Sequence, residues 1–290
     1  MMEALQFEFM RHALAAGLLA SIICGIMGTL AVVNRIVFLS GGIAHAAYGG
    51  IGLAFFFGWP YLAGTLGFSL VAAFLMAAVS LKARHRADTI IGVIWALGMA
   101  IGILLIDLTP GYNVDLMSYL FGSILTVPAT DLYIMIAVGI AIALLVAFYY
   151  KDLLALSYDE EFARIRGVPV KALYFAMIGM LAVTIVLVIR VVGLILVIAL
   201  LTIPPFIVEK YARSLMQMMV GSSLLGAGFT IAGLWLAYAY DLTSGAAIIL
   251  VAGLGFLISL LIGRLGFFTP VAPQPANGGL PHPPPTKPTK

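Results

Sequence analysis

Phe38-Leu39-Ser40-Gly41-Gly42-Ile43-Ala44-His45-Ala46-Ala47-Tyr48-Gly49-Gly50 sets an imidazole inside a segment apolar enough to cross a bilayer. Small residues surround it, so neighbouring helices can approach its backbone closely. An ionisable group at membrane depth is costly and faces a polar path or a partner rather than lipid. The stretch therefore points to transport. The rest of the chain agrees, because almost every other charge lies between apolar segments.

The chain has 290 residues, 63% hydrophobic and 9% charged, with a mean hydropathy of +1.15. A soluble domain of this size needs far more charge to cover its surface. Apolar runs of membrane-crossing length recur throughout. They must be helices, since lipid offers backbone groups no other partner. The alternation of a β-barrel is absent. The fold class is all-α, a polytopic transmembrane bundle in contact with membrane lipid. The net charge of +3 reflects membrane-flanking Lys and Arg and gives no reason to expect nucleic acid as a partner. The single Cys24 excludes a disulfide framework within one chain. Glu3 and Glu8 precede Arg11, a poor signal-peptide start, so the first apolar run reads as a permanent helix.

Nine segments emerge: 12–33, 38–57, 60–81, 89–106, 130–149, 171–189, 191–208, 216–239 and 245–263. Lys and Arg mark cytoplasmic loops. The loop 82–88 carries Lys82, Arg84 and Arg86; the loop 151–171 carries Lys151, Arg164, Arg166 and Lys171; a third holds Lys210 and Arg213. Arg35 and Arg264 fall on the same side. Arg190 is the exception. This alternation puts the N-terminus outside and the C-terminus inside. Residues 115–127 are apolar but too short to cross, and read as an outer re-entrant or interfacial helix. Residues 1–268 are expected to form one transmembrane domain, and the Pro-rich tail 269–290 is expected to be disordered.

The sequence holds no phosphate-binding loop, no H-E-x-x-H and no nucleophile elbow with triad partners. No residue is assigned as catalytic, and the chain reads as a non-enzyme. His12, His85 and His282 lie at a segment end, in a basic loop and in the tail, where solvated histidines are ordinary. His45 has two readings: a substrate path, or a hydrogen bond to a neighbouring helix. The glycines at 41, 42, 49, 50 and 52 either pack helices tightly or break one open to a cavity. Asp159-Glu160-Glu161-Phe162-Ala163-Arg164-Ile165-Arg166-Gly167 reads as a short cytoplasmic helix. Asp159 caps it, two acids sit at the positive end of its dipole, and Gly167 stops it. It either docks on a partner or closes a loop. Pro204 and Pro205 remove two backbone donors, so a kink or helix end is expected near the inner face.

At these stretches the chain resembles the membrane subunit of the zinc/manganese/iron-type ABC importers, over residues 9–267. The family segment L-G-D-G-L-S-H-A is similar to Leu39-Ser40-Gly41-Gly42-Ile43-Ala44-His45-Ala46. D-x-x-x-x-G-I is similar to Asp88-Thr89-Ile90-Ile91-Gly92-Val93-Ile94, with three residues rather than four between Asp and Gly. Y-L-F-G-x-I-L is present as Tyr119 to Leu125. The coupling helix D-x-E-x-A-x-x-x-G-x-P is matched by Asp159, Glu161, Ala163, Gly167 and Pro169. V-G-x-x-L-x-x-A-L-L-x-x-P is matched by Val192, Gly193, Leu196, Ala199, Leu200, Leu201 and Pro204. The resemblance implies eight or nine helices in the cytoplasmic (inner) membrane of a bacterium. It implies a second permease copy in a homodimer, an ATP-binding cassette ATPase dimer that holds the ATP, and an extracytoplasmic metal-binding protein. No cofactor is implied on this chain, and the cargo is a divalent metal ion: zinc, manganese or iron. His45 is implied in the metal pathway. Asp159, Glu160, Glu161, Ala163, Arg164 and Gly167 are implied in ATPase coupling, and Gly193, Pro204 and Pro205 in a helix break or gate.

One departure matters. Gly41 occupies the family Asp position, four residues before His45, and Ala44 the Ser position. Imidazole alone suits zinc, whereas a harder ion such as manganese misses the carboxylate more. Asp107 and Asp115 are candidate helpers, as is a second copy of His45. Three rivals remain at this stage. They are an importer of the same architecture for a metal chelate or other small ligand, a stand-alone secondary transporter or channel, and a membrane-embedded enzyme. The last two lack the intramembrane charges or polar cluster that they need.

Overall fold

The computed structural model describes residues 6–82, 86–110, 122 and 124–264, without the Arg264 side chain. Eleven α-helices order the described residues. They are α1 (Glu8–Val33), α2 (Val37–Phe57), α3 (Tyr61–Lys82), α4 (Ala87–Asp107), α5 (Ala129–Phe148), α6 (Tyr150–Tyr158), α7 (Glu160–Ile165), α8 (Val170–Val192), α9 (Leu194–Glu209), α10 (Leu215–Tyr240) and α11 (Ser244–Arg264). Eight are long and apolar enough to span a membrane. The ninth expected span, α9, has 16 residues, about 24 Å at 1.5 Å per residue. That is shorter than a bilayer core of about 30 Å.

The helices divide into an inner and an outer set. Within their most apolar windows, α2 is 72% buried, α1 67% and α8 61%, against 22% for α4 and α5. Sequence explains the division. The inner helices carry Gly, Ala, Ser and Thr where backbones meet, and contact in lipid is driven by packing rather than water exclusion. Added Cβ atoms at Gly49 and Gly52 of α2 would collide with the Gly98 carbonyl and Gly102 backbone of α4. Gly25 of α1 abuts Ser223 of α10 in the same way. Buried hydroxyls tie that second seam, with Ser21 and Thr230 at 3.0 Å. The outer helices expose Leu97, Leu104, Leu144 and Leu224, as lipid-facing surfaces do. The glycines of α2 leave it unbroken from Val37 to Phe57, so Gly49, Gly50 and Gly52 follow the packing reading.

Between α8 and α9 lies a one-residue corner. Gly193 has φ 85° and ψ 164°, a region open essentially to glycine. Lys171, early in α8, and Glu209, at the end of α9, line the same cavity. The chain therefore reverses at Gly193, where a break was expected. Gly122 packs its Cα on this corner, and a Cβ there would collide with the Val192 carbonyl and the Gly193 nitrogen.

Pro204 and Pro205 lie inside α9, which runs on to Glu209. Pro205 cannot donate to Leu201 O, and that carbonyl instead packs against Gly28 of α1, where a Cβ would collide with it. Thr202 Oγ1 donates to Ile198 O at 2.8 Å. Close packing of a neighbouring helix lets membrane helices tolerate prolines in this way.

Arg190 also finds its reason. Its Nε lies 3.0 Å from Asp131 Oδ2 at the start of α5, and its guanidinium sits 5.6 Å from the Tyr61 ring centroid. The charge at this end is paired, which a count of loop charges does not reveal. The expected outer helix, Asp115, His85 and the 269–290 tail lie outside the described residues, apart from Gly122, a short 3-10 turn at Ile124–Thr126, and Val127.

Candidate functional site

Helices α2 and α4 start at the same end of the bundle, since Leu39 and Ala87 line one cavity. They run parallel, and their glycines hold the two backbones in contact along the seam. His45 and Trp95 each lie eight residues beyond the first residue of their helix. They meet at one depth, with ring centroids 4.6 Å apart and planes 11° from parallel. Phe38, at the start of α2, approaches Trp95 at 6.1 Å with a 50° tilt. The result is an aromatic column from the inner cavity to the imidazole. The Nδ1 atom of His45 is buried without a hydrogen-bond partner. At this nitrogen His45 makes no hydrogen bond to a neighbouring helix.

One turn before His45, Gly41 is half-buried, and a Cβ there would meet nothing within 4 Å. A side chain at this position would enter open space beside the imidazole. Gly92 of α4 is open in the same way. Asp107 does not reach this place. It lies twelve residues beyond Trp95, about 18 Å along α4, exposed, and interacts electrostatically with Tyr48. Among the described residues, no group of three or more His, Cys, Asp or Glu side chains is arranged to hold a metal. His12 is held by structure: its Nδ1 donates to Val127 O at 3.2 Å.

At the other end of the aromatic column opens a cavity of about 1150 Å³, lined by Asn34, Arg35, Phe38, Asp88, Ser157 and Lys171 among others. The short helix α7 borders it through Glu160 and Arg164, which form an i,i+4 ion pair. Asp159 Oδ1 accepts from Phe162 N at 2.9 Å, the expected cap. Gly167, at φ 79°, ends the helix by sending its N–H to Arg164 O at 3.0 Å, while Val168 N–H reaches Ala163 O at 3.0 Å. This is the Schellman pattern. Ala163 is fully buried, whereas Phe162 and Ile165 are exposed at 50% and 85%. Glu161 is exposed as well. The capped helix therefore buries its alanine and presents Phe and Ile outward. Asn34 Nδ2 donates to Ser157 Oγ at 2.9 Å, joining the α1–α2 turn to α6.

Trp95 and the Arg190–Asp131 pair were not singled out in the sequence. Counting residues from helix starts gives the depth of Trp95. Its facing toward His45 depends on the rotation of α4, which no local pattern supplies.

Residues 6–263 match the family described as the ABC 3 transport family. The chain belongs to that family. A membrane protein of Synechocystis sp., slr2045, is 52% identical over 264 residues, covering 91% of this chain and 94% of its own length. The manganese transport system membrane protein MntC of Halalkalibacterium halodurans is 30% identical, covering 92% of this chain and 90% of its own length. Among solved structures, PsaBC from Streptococcus pneumoniae in complex with Fab superposes with a TM-score of 0.81 at 33% identity, over 89% of this chain and 94% of that one. This ABC 3 family member therefore shares both sequence and fold with transport permeases along nearly its whole described length.

Proposed function

We propose that the chain is the permease of an ATP-driven importer that passes a divalent transition-metal ion into the cytoplasm. The observation that carries this reading is His45: a half-buried imidazole on an inner helix, beside the open space at Gly41, in a family of ABC transport proteins. The relatives named as manganese systems support a metal cargo. Imidazole suits zinc and iron, and manganese leans more on carboxylate oxygen. The permease works in the bacterial cytoplasmic membrane as a homodimer, with the basic ends of its helices inside. An ATPase dimer engages α7, and an extracytoplasmic metal-binding protein delivers the ion. ATP stays on the ATPase subunits.

The test replaces His45. In the assembled importer, His45→Ala abolishes manganese and zinc uptake while the amount of folded, inserted permease holds. Normal uptake per folded molecule would remove His45 from the path. Acid acts in the same direction. Only neutral imidazole offers a lone pair to a metal, so uptake falls as acid protonates the ring.

A further inference from the structure

A metal-ligating histidine usually donates its second ring N–H to a carboxylate or carbonyl, which fixes the ring and its tautomer. His45 lacks that partner, because its buried Nδ1 is unbonded. The torsion that turns an imidazole is broad by itself, so something else must set the ring plane. Trp95 lies flat against it, at 4.6 Å and 11°. Behind Trp95 stands Phe38 at 6.1 Å, which restrains the indole in turn. The seam that carries both rings is stiff, since Gly49 and Gly52 leave no gap against Gly98 and Gly102.

We propose that Trp95 is the positioning residue for His45, its indole face taking the orienting role that a hydrogen bond has at most histidine ligands. With Nδ1 enclosed, Nε2 is the nitrogen that meets the cargo, and the stack holds it toward the open side of α2. Trp95 touches no ion. It acts through the imidazole, and so governs how well a cation is held more than how fast the transporter cycles. The inference rests on the reading of His45 as a cargo ligand.

The experiment uses the assembled importer in proteoliposomes, with Mn²⁺ and Zn²⁺ uptake measured over a range of concentrations. Loss of an orienting partner typically costs about 10–100-fold in metal affinity. Trp95→Leu therefore raises the half-saturating concentration of both ions by about tenfold or more, with a smaller change in maximal rate per folded permease. Trp95→Phe keeps a flat ring and remains within about threefold of the parent. Trp95→Met, unbranched and better able to fill the space, makes the same comparison if Trp95→Leu does not assemble. Equal half-saturation in the parent, leucine and methionine forms would overturn the proposal, as would equal impairment of the phenylalanine and aliphatic forms. His45→Ala separates the two readings. If it transports normally, the cargo-ligand reading fails and the positioning role with it. If it is inactive while Trp95→Leu keeps the parental half-saturation, the positioning role alone fails.

Discussion

Gly41 leaves open space one helical turn before His45. Nothing lies within 4 Å of a Cβ built there, so Gly41→Asp introduces a carboxylate one helical turn from His45 without displacing a neighbour. Carboxylate oxygen favours manganese more than imidazole alone does. The substitution should shift a manganese-versus-zinc competition toward manganese, and an unchanged ratio in well-folded protein would count against a metal site on this face. Gly193 is the opposite case. Its φ of 85° and ψ of 164° make Gly193→Ala cost about 1–3 kcal/mol, which thermal unfolding in detergent would register as a lowered midpoint. At this scale the sequence was partly legible. His45 stood out because imidazole is rare at membrane depth. Trp95 did not, because a tryptophan in an apolar helix looks the same whether it faces lipid or a neighbour. Asp131 and Arg190 lie in separate helices, and only the fold brings them together.

Among the elements, α7 has both of its ends specified by local chemistry. Asp159 caps it, Gly167 closes it, and its apolar residues Phe162 and Ile165 point outward. Asp159→Ala removes the cap and should cost about 1 kcal/mol of local helix stability. Hydrogen exchange across 160–167 would show faster opening. Glu161→Arg reverses an exposed charge on the proposed docking surface. It should lower uptake and ATPase co-purification while insertion is unaffected; if both survive, α7 is not the docking element. The spans were legible to within a few residues, as 38–57 against Val37–Phe57 shows, because lipid forces apolar length and helix to coincide. The helix end expected near the two prolines falls at Glu209, four residues after Pro205. Proline propensity is a local rule, whereas here Gly28 of a distant helix accommodates the freed carbonyl.

For the whole molecule, the missing phosphate loop predicts dependence on a second protein. Permease alone in liposomes should show no ATP-driven uptake, and uptake with ATP and no ATPase subunit would refute the importer reading. The Arg190–Asp131 pair links α8 to α5, and its energetics should be cooperative. Asp131→Asn and Arg190→Met should each destabilise by about 1–3 kcal/mol, and the double mutant by less than their sum. That pair also bears on biogenesis. An arginine within a segment passing through hydrocarbon opposes its own translocation, by about 2.5–3.5 kcal/mol on insertion scales. Asp131 is synthesised earlier and, once α5 has crossed, stands at the far side when α8 begins to enter. The nascent chain thus supplies its own counter-charge ahead of the residue that needs it. Asp131→Asn should delay or invert entry of α8, visible as altered labelling of a cysteine placed at Thr243, whereas Asp131→Glu should restore it.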